Sequence, residues 1–342
     1  MTDRLVDAAA DRLFAGQVTP PLHAAAEAGT FPEALWRAVA EAGFAEALAA
    51  GAGLAGLPEA VAILRAAGRR AAPLPLAEAM LARWSLGAAG TDLPPQAVLT
   101  LAPVEIDERV AAERLANGWR LRGALSFVPW ARAATHLVLV AAGGLFLLPA
   151  AGLAPRHDRN LAGEPRDHLA LDAVAERLSL AAGRDPALLY PLGALCRAAQ
   201  MAGALEGALA LATQYANDRV QFGRPIGKLQ AIQQQLAQMA EEAAAAGVAV
   251  DAAAAHIAAG GDAAFAAAIA KIRAGEAAGK AAEIAHQVHG AIGFTHEHPL
   301  HRLTRRLWSW RDEFGNEGFW ALALGRRMAA QGAEAFWPAM TA

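Results

Sequence analysis

The stretch running from Leu229 to His289 constrains the fold more than any other part of the chain. It reads "LQAIQQQLAQMAEEAAAAGVAVDAAAAHIAAG" and then "DAAFAAAIAKIRAGEAAGKAAEIAHQVHGAIG". Such an alanine excess resembles low complexity, but between positions 242 and 282 the polar residues recur at helical spacing and glycines close both runs. Two long, tightly packed helices follow, alanine being the best helix former. Ahead of them, "RDPALLYPLGALCRAAQMAGALEGALALATQYANDR" opens with Asp185 as an N-cap and Pro186 at the first helical position. Behind them, "PLHRLTRRLWSWRDEFGNEGFWALALGRRMAA" supplies the last helical pieces. Four such helices joined by short loops predict a bundle over residues 183–342.

The remainder divides by period. Residues 1–92 read as helices: "PEALWRAVAEAGF" ends at Gly43, and "GLPEAVAILRAAGRR" meets a stop at Gly68. From 93 to 182 the runs are short and often alternating, broken by Asn117-Gly118, Gly123, Pro129 and Gly143-Gly144. That is the pattern of a small antiparallel sheet or barrel. The uncharged run from Leu137 to Ala154 is not a membrane span, because Gly143-Gly144 splits it into two strands of a hairpin and Pro149 ends the second. The expected fold is mostly α with a small β domain: N-terminal helical domain, central antiparallel β domain, C-terminal four-helix bundle.

Composition removes several functions. At 342 residues and 55% hydrophobic the chain has material for two or three domains and a large core. The net charge of −3, with arginines scattered among acids, argues against nucleic acid. Arg302, Arg305, Arg306 and Arg311, interleaved with Trp308 and Trp310, read as a solvated or intersubunit salt-bridging face. Cys196 is the single cysteine, which excludes a disulfide framework and a Cys-x-x-Cys site. The histidines at 286, 289, 296, 298 and 301 carry no His-Glu-x-x-His pattern, so no metal is expected. The opening "MTDRLVDAAADRLF" lacks the basic and apolar regions of a signal peptide, and a cytoplasmic location is expected.

One segment breaks the helical pattern. "YANDRVQFGRPIGKLQ" is too polar for core and too patterned for a plain loop. Its Arg219, Gln221, Phe222 and Gly223, followed by Pro225, Ile226 and Gln230, have a counterpart downstream in Gln287, Gly290, Gly293, Phe294, Pro299 and Arg305. Together with the order helix, sheet, bundle, these two motifs resemble the acyl-CoA dehydrogenase family over nearly the whole chain. The resemblance implies FAD as cofactor and an acyl-CoA thioester as substrate, with oxidation at the Cα–Cβ bond. It also implies that this corner reaches a neighbouring subunit's FAD, with Arg219 on the pyrophosphate, Phe222 near the adenosine, and Gln221, Gln230, Gln287, His289, Gly290 and Ala291 as further contacts. Arginine suits phosphate because its planar fork donates bidentately and keeps its charge. Ala291 stands where the family has its second glycine.

The catalytic side departs from the family. Removing the α-proton needs a carboxylate within about 3 Å of it. The family's two base positions fall on Phe314 and on Gly193, neither of which is a base, and Glu313 is the nearby acid that a one-residue shift would bring in. The family's Gly-Ser segment for flavin phosphates is missing from "LAPVEID" around Pro103, and its Trp-x-Thr aligns with Phe127 and Pro129. Proline supplies neither hydroxyl nor N–H. The half-site offered to a neighbour is kept and the chain's own is lost. This pattern is similar to the shorter subunits of heteromeric acyl-CoA dehydrogenases, implying a second family subunit as partner and an electron-transferring flavoprotein as acceptor. Two alternatives stand beside it: a self-sufficient homo-oligomer using Glu313, and a non-catalytic assembly module. Small residues at Gly193, Ala194 and Gly203 would leave room for a wide acyl group.

Overall fold

The computed structural model describes residues 2–51, 53–102, 110–178, 185–334 and 337–338. The N-terminal part holds α1 (Thr2–Gln17), α2 (Pro20–Glu27), α3 (Glu33–Glu41), α4 (Leu57–Arg69) and α5 (Leu76–Ala88). Their ends follow local chemistry. Thr19 accepts the Leu22 N–H ahead of a proline at the start of α2, and Gly43 takes the left-handed conformation just past α3. The apolar faces of α3 and α4 carry Leu35, Trp36, Val39, Val61, Ile63 and Leu64 into one core shared with the bundle.

The period-2 region forms β1 (Leu99–Leu101), β2 (Ala111–Leu115), β3 (Gly118–Pro129), β4 (His136–Ala141), β5 (Gly144–Pro149) and β6 (Arg166–Leu178). They make one sheet in the order β1-β4-β5-β6-β3-β2. It is antiparallel at every pairing except β1 with β4, which is parallel. The wholly antiparallel sheet expected from sequence is corrected there: β2 and β3 intervene between β1 and β4, so the chain has length enough to cross over and enter in the same direction. The hairpin at the uncharged run is β4–β5, but Ala141 pairs with Gly144, so the turn is Ala142-Gly143, with φ of 45° and 70°. Two positive φ values match the twist of the flanking strands, and Gly144 opens β5 instead of serving the turn. Among the described residues no helix is long and apolar enough to cross a membrane.

Asp185 accepts the Ala187 N–H at 2.9 Å and starts a short turn that leads into α6 (Leu189–Asp218). The hairpin β7 (Val220–Gln221) and β8 (Arg224–Pro225) joins α6 to α7 (Gln230–Ala258), and α8 (Ala263–His289), α9 (Leu300–Asp312) and α10 (Glu317–Gln331) complete the helical part. Alanine on α6, α7 and α8 is buried at nearly every inward position, among them Ala212, Ala246, Ala267 and Ala274. Glycine does the same where α4 crosses α6. A Cβ on Gly203 would lie 1.9 Å from the Arg65 carbonyl oxygen, and one on Gly68 2.1 Å from that of Gln200. Gly68 is thus held by backbone contact in the last turn of α4, not by its role as a stop. Gly203 faces α4, and Ala194 is buried beside Trp320, so neither leaves space for a substrate.

Candidate functional site

Both motifs lie at one end of the bundle. The Arg219 N–H donates to the Tyr215 carbonyl at 2.8 Å and ends α6, after which the chain turns sharply through Phe222 (φ 52°) and Gly223 (φ 75°). This turn displays Phe222 at 87% exposure. Tyr215 stacks on His289 of α8 with ring centroids 4.7 Å apart, which brings the second motif alongside the first. Arg219, Gln221, Gln230, Gln287, Gly290 and Ala291 are all exposed, and Arg219 makes no ion pair among the described residues. His289 differs. It is buried, its Nδ1–H donates to Ala285 O at 2.7 Å, and its Nε2 has no partner among the described residues. Burial pushes its pKa down, so it is a neutral packing element behind the exposed residues.

This donor set fits a dinucleotide. A free guanidinium and carboxamides can donate to phosphate oxygens, and Gly290 (φ 63°) has open space where a Cβ would stand. Gly293, by contrast, is needed for packing, since its Cβ would come within 2.9 Å of the His289 Cβ.

The chain's own groove is a separate place, of about 420 Å³, between the sheet, the 160–166 loop, α6 and the end of α9. Phe127 and Pro129 line it. Phe127 sits at a bulge in β3, where the register with β6 shifts between Leu125 and Val128, and its φ is 55°. Its ring packs edge-on against His168 at 4.9 Å and stays half exposed. Both features belong to a strand edge and not to a core position. Residues 103–109, where the family's flavin-phosphate segment would align, lie outside the described residues.

Glu313 also borders this groove, where α9 ends. Its oxygens accept from Arg166 Nε at 2.9 Å, Arg197 Nε at 2.6 Å and Asn160 Nδ2 at 3.2 Å. Burial alone would raise its pKa, but the Arg166 and Arg197 guanidiniums outweigh that and hold it below the usual carboxylate range. The network continues. Arg197 also pairs with Glu78, and Arg166 pairs with Glu164 at 3.2 Å. Glu164 in turn takes Arg306 Nε at 3.1 Å and Trp310 Nε1 at 2.9 Å. Four elements are cross-linked through charges that are nearly all out of water.

Phe314 and Gly193 occupy each other's space. A Cβ on Gly193 would lie 2.3 Å from Phe314 Cε1 and 2.4 Å from Cδ1. The turn that aims the ring has φ of 56° at Phe314 and 83° at Gly315. It is held from below by Lys271, whose Nζ donates to Arg311 O and Gly315 O, each at 2.7 Å. Burial pushes that ammonium down to about 7. Among the described lining residues, Pro129 donates nothing and Arg166 and Arg197 are already committed to carboxylates, so none of the three offers a flavin a free donor.

In the basic run after the second motif Arg306 is buried on Glu164, so the solvated or intersubunit face expected from sequence is corrected for it, while Arg311, which pairs with Glu317, and Arg305, which donates to Leu161 O at 2.8 Å, stay partly exposed. Spacing alone placed them on adjoining helical faces but could not say that α9 is covered by the 160–166 loop. Cys196 is buried, and its thiol is pushed up to about 12. Among the described residues no group of three or more acids, histidines or cysteines is arranged to hold a metal.

Comparison with known proteins agrees with this geometry. Residues 191–328 match the family described as acyl-CoA dehydrogenase, C-terminal domain. Acyl-CoA dehydrogenase FadE27 of Mycobacterium tuberculosis is 31% identical over 310 residues, covering 80% of this chain and 82% of that protein. Other curated relatives are matched over only part of their length, from 26% to 36%. Among solved structures, the ChsE4-ChsE5 complex from Mycobacterium tuberculosis superposes with a TM-score of 0.86 at 25% identity, over 97% of this chain and 98% of the other. The "Tcur3481-Tcur3483 steroid ACAD G363A variant" does so with a TM-score of 0.85 at 30% identity, over 96% and 98%. The chain belongs to the acyl-CoA dehydrogenase family, whose fold is built for FAD-dependent oxidoreductases.

Proposed function

We propose that this chain is one subunit of a heteromeric acyl-CoA dehydrogenase and completes the FAD site of a different, catalytically intact subunit. The observation that carries the reading is the Phe314 ring seated in the space of Gly193. Where the family places its base, this chain has an aromatic ring and a missing side chain, interlocked. Glu313, the acid left nearby, is a poor base because two guanidiniums stabilise its ionised form. That weighs against a self-sufficient homo-oligomer.

In this reading FAD, bound largely by the partner, supplies the acceptor for a hydride from the acyl Cβ. The partner's carboxylate takes the α-proton. This chain's residues bind and orient: Arg219 donates to the pyrophosphate, Gln221, Gln230 and Gln287 donate around it, and the exposed Phe222 covers the adenosine side from water. Ala291 tolerates close approach because its methyl is already at the surface. A bulky or steroid-derived acyl group is the substrate class favoured by the likeness to the "steroid ACAD" pair. An electron-transferring flavoprotein is the acceptor, and the single, buried cysteine suits a reducing cytoplasm.

The test is an absorbance spectrum with flavin quantification and light-scattering mass, on the chain purified alone and co-expressed with each family paralogue of its organism. Colourless protein alone that becomes yellow with one paralogue, and loses flavin again on Arg219→Gln, is the expected result. Near-stoichiometric flavin in a homo-oligomer would overturn the proposal. So would a chain that stays colourless with every paralogue, which would leave a structural assembly module.

A further inference from the structure

Beside the bundle-end residues, with Pro299 of the second motif on its wall, and apart from the groove lies a second cleft, of about 520 Å³, where α2, the end of α4 and the start of α9 meet on α6. Its rim carries Arg69, Arg70 and Arg302 beside the neutral imidazole of His23, and no carboxylate lines it. The floor is apolar, with Val18, Leu211 and Leu303. The volume lies within the range of small-molecule sites.

Most of these charges are met. Arg69 is met by Glu206 at 2.8 Å, Asp11 at 3.1 Å and Asp7 at 3.6 Å, and Arg70 by Asp11 at 3.3 Å. Arg306, just behind the cleft, is met by Glu164 at 3.1 Å. Arg302 has no ion pair among the described residues, and one carboxylate, Asp11, is shared between two arginines. α9 also starts here. Its first N–H, that of Leu300, is taken by His298 Nδ1 at 3.3 Å, so the positive end of the helix meets this space partly capped.

His23 is an independent pointer. Its side chain is 5% exposed and its Nδ1 has no hydrogen-bond partner, a costly state for a buried polar atom. Burial and the nearby Arg306 and Arg302 keep the ring neutral, against a hydrogen bond to the Arg70 backbone that works the other way. In the tautomer that carries its N–H on Nδ1 the ring can donate to an anion, and an anion would meet the Arg302 charge.

We propose that this cleft binds a small organic anion, its phosphate or carboxylate group held by Arg302 and Arg70 beside His23, and its apolar body resting on Val18, Leu211 and Leu303. The site is independent of the FAD reading: it uses neither Arg219 nor the groove at Phe314.

The test is calorimetric titration of the full chain, together with any partner that copurifies, using phenyl phosphate, benzoate and inorganic phosphate as probes. The His23 ring resonances are followed by NMR in parallel. Saturable binding of phenyl phosphate or benzoate that shifts the His23 signals is expected, and it should weaken about tenfold or more in Arg302→Gln and in Arg70→Gln, both with unchanged circular dichroism. Preference for phenyl phosphate identifies a phosphate ligand, and preference for benzoate a carboxylate. Inorganic phosphate should bind more weakly than phenyl phosphate because it lacks a body for the apolar floor. No saturation up to about 10 mM of any probe would overturn the proposal. Equal affinity in Arg302→Gln and wild type, or binding lost in Arg219→Gln but kept in Arg302→Gln, would overturn it as well.

Discussion

Glu313→Gln separates a carboxylate that ties the molecule together from one that does chemistry. The substitution removes one negative charge from between Arg166 and Arg197 and leaves the side-chain shape unchanged. Breaking a buried ion pair costs about 3–5 kcal/mol because the partner charge is left uncompensated. Here the low end applies, for two reasons. Arg166 keeps Glu164 and Arg197 keeps Glu78, and the Glu313 side chain retains 21% exposure. Unfolding 342 residues at an entropy of ~2.1 cal/mol/K per residue gives ~0.7 kcal/mol/K, so a loss of about 3 kcal/mol lowers the melting temperature by about 4 °C. Differential scanning fluorimetry near neutral pH reads that shift, and turnover of the assembled heteromer, measured well below melting, should change less than about twofold. A variant that melts like the wild type yet loses turnover by a factor of about 10² or more would refute this reasoning and restore Glu313 as a base.

Two further outcomes follow from the structure. Gly193→Ala puts a methyl group within 2.3 Å of the Phe314 ring and should destabilise by about 1–3 kcal/mol, an effect that disappears in a Phe314→Ala background; equal cost in both backgrounds would show that the two positions are not in contact. Acid should destabilise the chain in two stages. His23 is depressed from 6.5 to about 3, so the unfolded chain takes up its proton first, and stability begins to fall below about pH 6.5, by about 2 kcal/mol at about pH 5. Glu164, lowered from 4.5 to about 2, and Glu313, also lowered, add a second loss as pH falls from about 4.5 towards 2. Urea midpoints in wild type and His23→Gln test the first stage, since the variant should lose about 2 kcal/mol less than the wild type between about pH 7 and 5, the remaining slope belonging to His289 and the other histidines whose pKa is lowered. A variant with the full wild-type loss would assign the effect to other groups.

Much of the architecture was legible from local pattern. Asp185 and Pro186 announced the start of the bundle, and the short apolar runs split by Gly143-Gly144 announced strands, because caps and turns are properties of neighbouring residues. Sheet direction was less so: whether β4 enters beside β1 parallel or antiparallel depends on the path between them, and short apolar runs carry no sign of that. Of the candidate residues, Arg219, Gln221, Phe222 and Gln287 stood out because polar residues and a bare aromatic interrupt an otherwise helical pattern. His289 carried the same motif signal, yet it is buried against Tyr215.

The sequence by itself determined the helical bundle and the small sheet, since each follows from composition and spacing within one segment, and its two motifs carried the resemblance to the family. It also named Phe314 and Gly193 as places where a base was missing. Only the tertiary structure decided what those absences mean. That the ring of one fills the space left by the other is a contact between chain-distant residues, and no local pattern encodes it. The same holds for Glu313, a plausible base in one dimension. Three dimensions set Arg166 and Arg197 around it, and both guanidiniums draw on the charge that a base would use to take a proton.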